Sequence, residues 1–393
     1  MSLDKALQAT LWICLLFVLY TYLLYPVLLF MAYSISQMRR DLQYLVNRRG
    51  RRTAELPSEE LPAVSLIVAA LNEEQRLPGK LANTLELDYP TDRIEAIFVS
   101  DGSTDKTNEL LTTARDPRIS AVILPARRGK ANAINEGVAR ASHSILVFSD
   151  ASTLFAPDAI RRLVRHFVNP RVGVVCGALS FVGTAESRQT EGVYWKYESM
   201  LRLMEARMGA TLTASGAIFA VRRECFCPIL PNTILDDLII PMNARKLGYQ
   251  VCYDPEAVAA EVAAESVAGE FMRRVRIAVG SFRALPQLIR MRLRGFALIA
   301  FLSHKLMRWI VPFPLLGALV CSVLLVRHPL YQIMFACEAI FLLWAGIGLA
   351  FRRRLEGVPG ALVGYFLLAM NAAFLVGFFK VIFRREITWQ RTS

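Results

Sequence analysis

The chain is poor in metal-binding side chains of the softer kind. It has four histidines in 393 residues, spread far apart, and seven cysteines. Cys225 and Cys227 stand one residue apart, a spacing that fits no zinc ribbon or finger. The cysteines therefore read as reduced packing residues in a cytosolic setting. Charge is sparse as well, at 20% of residues against 54% hydrophobic. That is too apolar for an ordinary soluble enzyme and too charged for a protein that lies wholly in a membrane.

Acids are the scarcer charge, 33 against 46 lysines and arginines, for a net +13. The basic excess clusters beside apolar ends, at Arg39-Arg40, Arg48-Arg49, Arg51-Arg52, Arg273-Arg274-Val275-Arg276 and Arg290-Met291-Arg292-Leu293-Arg294. This placement points to the cytoplasmic face of an anionic membrane and away from nucleic acid. From Ala6 to Tyr33 the chain is apolar for longer than the roughly 20 residues that a spanning helix needs. No small-residue cleavage pattern precedes the arginines, so the stretch reads as a retained helix and not as a signal peptide. Pro57 to Pro62 then forms a linker.

Five apolar runs follow, Val64 to Ala70, Ile94 to Ser100, Ser120 to Leu124, Ser144 to Phe148 and Val172 to Ala178. Helical patterns separate the earlier ones, which predicts a largely parallel, doubly wound α/β sheet. Ligands bind beyond the carboxyl ends of such strands. The loops there carry Asn72-Glu73-Glu74, Asp101-Gly-Ser-Thr-Asp105, Arg127-Arg128-Gly129-Lys130 and Asp150-Ala151-Ser152. Each loop alone can be explained by turns and helix caps. Their recurrence along one sheet edge makes a site.

Farther on, Glu191 to Met208 is helical in pattern, and Thr213 to Ala220 is a small-residue strand or loop. Asp236-Asp237 sits in the apolar segment Ile234 to Ile240, where two acids are costly unless partnered or functional. Glu270 to Arg294 is amphipathic and basic, as for a helix at a membrane surface. Ile310 to Val326, Leu330 to Phe351 and Val358 to Phe383 are each near spanning length. Ala297 to Trp309 reads as interfacial, with His304 at its surface because no ligand partner lies near it in sequence.

Six segments in this order, Val68 to Glu74, Val99 to Asp105, Gly129 to Gly137, Phe148 to Ala151, Asp236-Asp237 and Arg273 to Arg276, resemble the membrane-embedded family 2 inverting glycosyltransferases. That group includes the hyaluronan, cellulose, chitin and poly-N-acetylglucosamine synthases. The resemblance covers about Pro62 to Arg283. It implies a GT-A fold over residues 62–269, after a membrane helix at 1–35 and a basic linker at 36–61. Amphipathic helices at 270–309, three membrane helices at 310–383 and a tail at 384–393 complete the expected organisation.

The resemblance also implies a chemistry: displacement at an anomeric carbon, from a nucleotide-sugar donor and in particular a UDP-sugar, to a glycan or lipid-linked acceptor. It assigns Glu73 and Asp101 to the nucleoside, Lys130 to the nucleotide, Asp150 to Mg²⁺ or Mn²⁺, Asp237 as general base with Asp236 supporting it, and Arg273 and Arg276 to the diphosphate. The protein is then an integral membrane protein of the plasma or inner membrane, with its catalytic domain in the cytoplasm. Two positions depart from the family pattern. Ser152 stands where a second metal acid is usual, and Ile277 stands where the polymer synthases have tryptophan. A polyprenyl-phosphate sugar transferase and a catalytically silent membrane subunit are the alternative readings.

Overall fold

The computed structural model describes residues 3–47, 55–182, 197–262, 267–355, 358 and 360–384. The expected linker arginines at 48–52, the first residues of the helix expected from Glu191, and the tail beyond 384 lie outside the described residues. In chain order the helices are α1 (Leu3–Leu19), α2 (Tyr25–Asn47), α3 (Leu77–Leu85), α4 (Thr107–Thr113), α5 (Lys130–Arg140) and α6 (Ala159–Val164). Then follow α7 (197–207), α8 (Asp236–Lys246), α9 (Val267–Arg290), α10 (Gly295–Ala300), α11 (Met307–Ile310), α12 (Pro312–Leu324), α13 (Pro329–Ala350), α14 (Arg352–Leu355) and α15 (Val363–Ile382).

Among the described residues eight strands form one sheet: β1 (Val64–Ala70), β2 (Ile94–Ser100), β3 (Ile119–Ile123), β4 (Ile145–Asp150), β5 (Thr153–Phe155), β6 (Val172–Val182), β7 (Ile218–Arg222) and β8 (Gln250–Val262). Their order is β3-β2-β1-β4-β7-β6-β8-β5. The first four are parallel, as their separation by helices dictates. β7 instead runs antiparallel to both β4 and β6, so the sheet is mixed where the sequence predicts a largely parallel one. The register sets the functional edge. Ala70 lies opposite Ser100, and Ala69 opposite Asp150, which places the loops after β1, β2 and β4 side by side.

Alternation along the strands feeds a core on each face. Ile67, Ile97, Leu146 and Phe148 pack with Ile134 of α5 and Leu238 of α8 on one side. Leu66, Phe98 and Val147 pack with Leu77 of α3 and Leu163 of α6 on the other. The sheet is therefore doubly wound. The Phe148 and Phe219 rings stack at 4.7 Å between centroids, matching their cross-strand register.

Among the described residues three helices are long and apolar enough to cross a membrane, Leu3–Gln43, Pro329–Ala350 and Val363–Ile382, and the pair Gly295–Ile310 and Pro312–Leu324 meets at 53°. The expected span Ile310 to Val326 falls mostly in the second helix of that bent pair. α12 has only 13 residues, about 20 Å of helix at 1.5 Å per residue, which is short of the roughly 30 Å hydrocarbon core. It can cross only together with the segment before it. A cysteine label at Val358, between α13 and α15, tests this in an otherwise cysteine-free chain. If the bent pair is one span and the sheet domain is cytoplasmic, Val358 is labelled only in permeabilised cells, on the side where the positive-inside rule puts Arg352 to Arg354. Labelling in intact cells would mean that the pair is re-entrant.

His304 is a second correction. It is 1% exposed, with Nδ1 at 2.8 Å from Glu205 Oε1 and Nε2 at 3.2 Å from Glu198 Oε2. Glu198 also receives Arg308 at 2.6 Å, and Glu205 receives the Tyr25 hydroxyl at 2.7 Å. Two carboxylates on one face of α7 are sustainable in a buried joint only when cations and hydroxyls meet them. The stretch around His304 is therefore a buried joint between α7 and the membrane helices, where the sequence suggests a surface.

Candidate active site

The loops after β1 and β2 are joined by their own polar groups. Asn72 adopts a left-handed backbone (φ 55°) and accepts the Thr104 N–H at 2.8 Å. The Glu73 N–H donates to Thr107 Oγ1 at 2.8 Å and the Glu74 N–H to Asp105 at 3.1 Å. The Glu73 side chain, 13% exposed, lies 3.8 Å from Arg76. Asp101 is wholly buried, and its carboxylate accepts the N–H groups of Arg128 and Gly129 at 2.8 and 2.7 Å. Its neighbour Gly102 has φ +67°, and a Cβ there would fall 2.5 Å from Arg127 N. Asp101 thus holds the loop before α5. One backbone donor on each oxygen leaves acceptor capacity on the Asp101 carboxylate.

The loop that Asp101 fixes delivers Lys130, the first residue of α5. Lys130 Nζ lies 2.8 Å from Asp150 Oδ1 and 3.2 Å from Asp236 Oδ2. Burial alone would lower the Lys130 pKa, but Asp150 and Asp236 reverse this and raise it, so the ammonium is firmly charged. Asp236 is 5% exposed and Asp237 partly exposed, at the first turn of α8. Burial and the neighbouring Asp236 push Asp237 up to about 6, against the pull of Lys130, Arg202 and Lys305. Asn135 of α5 anchors the segment that leads into α8, with its side-chain amide bonded to Ile229 O and N at 2.8 and 2.9 Å.

A small cleft opens among these groups, lined by Ile67, Ala69, Lys130, Ile134, Phe148, Ser149, Asp150, Gly216 and Asp236. α9 closes one side. A Cβ at Gly280 would come within 2.9 Å of Ile234 and Leu235, so α9 packs almost backbone-to-side-chain against the segment that carries the acid pair. Arg276 faces that pair. Burial and Arg273 lower its pKa, while Asp150, Asp236 and Asp237 oppose the shift. Arg274, between them, stacks over Phe366 of α15 at 4.6 Å. Phe282 packs edge-on against Phe374 and Phe378 of the same helix. One face of α9 thus serves the cleft and another rests on the apolar helix α15.

Lys130, Asp150, Asp236, Asp237 and Arg276 therefore converge, while Glu73 and Asp101 belong to the flanking loops. Two further residues are absent from the sequence reading. Glu261, at the end of β8, accepts the Ser152 hydroxyl at 3.0 Å. This contact puts its carboxyl group beside the position where Ser152 replaces an acid, and burial and Asp150 raise its pKa. Arg202 of α7 lies 3.4 Å from Glu198 and is one of the cations acting on Asp237. β8 carries three acids, Asp254, Glu256 and Glu261, and the pairing of Thr153 with Glu261 across β5 and β8 reveals which of them reaches the turn after β4. Nothing local to α7 signals Arg202.

Residues 65–227 match the family model described as Glycosyl transferase family 2. Poly-beta-1,6-N-acetyl-D-glucosamine synthase of Staphylococcus aureus (strain COL) is 26% identical over 278 residues, covering 67% of this chain and 65% of its own length. The enzyme of the same name from Staphylococcus epidermidis is 26% identical over 238 residues, covering 58% and 56%. The match thus spans just under two thirds of the length of the first of these relatives. Among solved structures, a mannosyltransferase from Pyrobaculum calidifontis in complex with GDP-Man and Mn²⁺ superposes with a TM-score of 0.69 at 20% identity, over 92% of this chain and 99% of that one. This chain shares the fold of that enzyme.

Proposed function

From a chain that carries a family 2 glycosyltransferase domain over residues 65–227, on a GT-A-like fold beside apolar helices, we infer a membrane glycosyltransferase. It moves a sugar from a nucleotide-sugar, a UDP-sugar in the first instance, to a hydroxyl of a polysaccharide or lipid-linked glycan. The observation that carries this reading is the convergence of Lys130, Asp150, Asp236 and Asp237 at one cleft. Asp237 takes the proton of the acceptor hydroxyl as its oxygen forms the bond to the anomeric carbon. The bond from that carbon to the diphosphate breaks on the opposite face, and the configuration inverts. The charge that grows on the diphosphate is met by Lys130, Arg273 and Arg276. A phosphate acceptor would need no base, so the raised pKa of Asp237 favours a hydroxyl over a polyprenyl phosphate.

The donor set at Asp150 suits a hard divalent cation. Among the described residues no three His, Cys, Asp or Glu side chains form a metal cage. The Asp150 side chain is about one-third exposed, at 34%, and Glu261 stands beside its turn. One or two carboxylates fit Mg²⁺ or Mn²⁺ when donor phosphate oxygens complete the shell. Such an ion, held by Asp150, would neutralise charge on the diphosphate.

Apolar helices long enough to cross a bilayer support a membrane protein, and the basic residues flanking the sheet domain favour the cytoplasmic side for that domain. The test of the function is purified protein incubated with a panel of nucleotide sugars and an acceptor, with the products sized. Transfer from one donor supports the reading, and no turnover of any donor favours the silent subunit. With Ile277 offering no aromatic face to an acceptor sugar, the products expected are extended by one or a few sugars.

The pKa of Asp237 also fixes the pH dependence. A carboxylate raised to about 6 is a base above that pH and a protonated acid below it. kcat/KM should therefore fall about tenfold per pH unit below about 6. A profile flat down to pH 5 would remove Asp237 from the proton transfer.

A further inference from the structure

Behind the cleft lies a lysine that the mechanism above does not use. Lys80, on α3, is 1% exposed, one of the largest fully buried side chains of the protein. Its ammonium donates to Ser149 Oγ at 2.7 Å and to Thr153 O at 2.7 Å, and lies 4.4 Å from the centre of the Phe155 ring. Those two acceptors are the two ends of the turn between β4 and β5. Asp150 reaches the cleft from within that turn.

We propose that Lys80 is a positioning residue for the Asp150 carboxylate, clamping both ends of the Ser149 to Thr153 turn from beneath. This rests on the assignment of Asp150 to the metal–diphosphate group of the donor. Asn83, one turn along α3, makes the same kind of contact with β5. Its amide accepts the Phe155 N–H at 2.8 Å and donates to Phe155 O at 2.9 Å. Ser149 Oγ, held by Lys80, is itself 3.2 Å from the Asp150 carbonyl. On the other side of the turn, Ser152 is tied to Glu261. The turn is thus gripped from two directions while the Asp150 carboxylate stays free to face Lys130.

Stability alone gives little reason for an ammonium here. Burying one costs several kcal/mol, and an apolar side chain of similar volume is often neutral or stabilising in such a place. Burial drives the Lys80 pKa down to about 7 against the opposing charge of Asp150, which agrees with an ammonium held where it is costly. What it supplies that a methionine cannot is directed N–H donors to two fixed acceptors.

The test uses the full chain in detergent, with Lys80→Met and Lys80→Gln, and UDP as the probe with Mn²⁺ or with chelator. Residues that orient a metal ligand typically contribute 10- to 100-fold in metal affinity. On that scale Lys80→Met should weaken Mn²⁺-dependent UDP binding about tenfold or more, leave metal-free UDP binding unchanged, and speed amide exchange over Asp150 to Phe155. Lys80→Gln, which keeps N–H donors, should recover part of both effects, and it decides the matter if the methionine variant does not fold. Wild-type metal-dependent affinity and exchange in the folded variants would overturn the proposal. Asp150→Ala is the parallel arm. If it retains the Mn²⁺ increment, the assignment of Asp150 fails, while the exchange rates still report on the clamp.

Discussion

Asp237→Asn should reduce transfer by a factor on the order of 10² or more while leaving donor binding intact. The substitution keeps the size and polarity of the side chain and removes its capacity to accept a proton. The backbone that seats it is unaffected, since Ala214 N–H bonds to the Asp237 carbonyl at 2.8 Å through the main chain. Removing one of two adjacent acids also relieves the repulsion that helps to raise the Asp237 pKa. The variant should therefore fold at least as well as the wild type. Measured by transfer under saturating donor, together with nucleotide affinity, near-normal turnover would exclude Asp237 as the base.

Lys130→Met should be the more damaging change, because Lys130 serves several groups at once. Its ammonium lies between Asp150 and Asp236 at 2.8 and 3.2 Å and is one of the cations that hold Asp237 near 6. Without it, like charges face one another across the cleft, and the Asp237 pKa moves further up, since a lowering influence is lost. The contact proposed for it with the diphosphate is lost at the same time. We expect kcat/KM to fall by on the order of 10³, combining a weaker donor grip with a lost transition-state charge contact worth roughly 10² to 10³. The acid limb of the pH profile should also shift to higher pH. A loss confined to donor affinity, with the limb still near 6, would mean that Lys130 acts on the nucleotide alone.

The parallel half of the sheet was legible because each of its strands is a short apolar run that ends in a polar loop. Val64 to Ala70 and Ile94 to Ser100 coincide with β1 and β2 residue for residue. The direction of β7 was not legible. Residues 218–221 are all buried, so no alternation marks a face, and strand direction leaves no local trace. Burial of charge was the other blind spot. His304 meets acids that precede it by 99 and 106 residues, and Asp101 spends its carboxylate on amides 27 and 28 residues ahead. Glu261 was hidden as one of three acids in β8, with Asp254 and Glu256, although the Ser152 departure marks the spot where a second carboxylate would be sought. Asp236-Asp237 stood out for the opposite reason, as two adjacent acids in an otherwise apolar segment.

In the proposed reaction a hydroxyl activated at Asp237 displaces a diphosphate from the far face of the sugar. The most direct measurement is the anomeric configuration of the transferred sugar, read by NMR of product made from an α-linked nucleotide-sugar by the purified chain. A β-linked product is predicted. An α-linked product would contradict single displacement and, with it, the role assigned to Asp237.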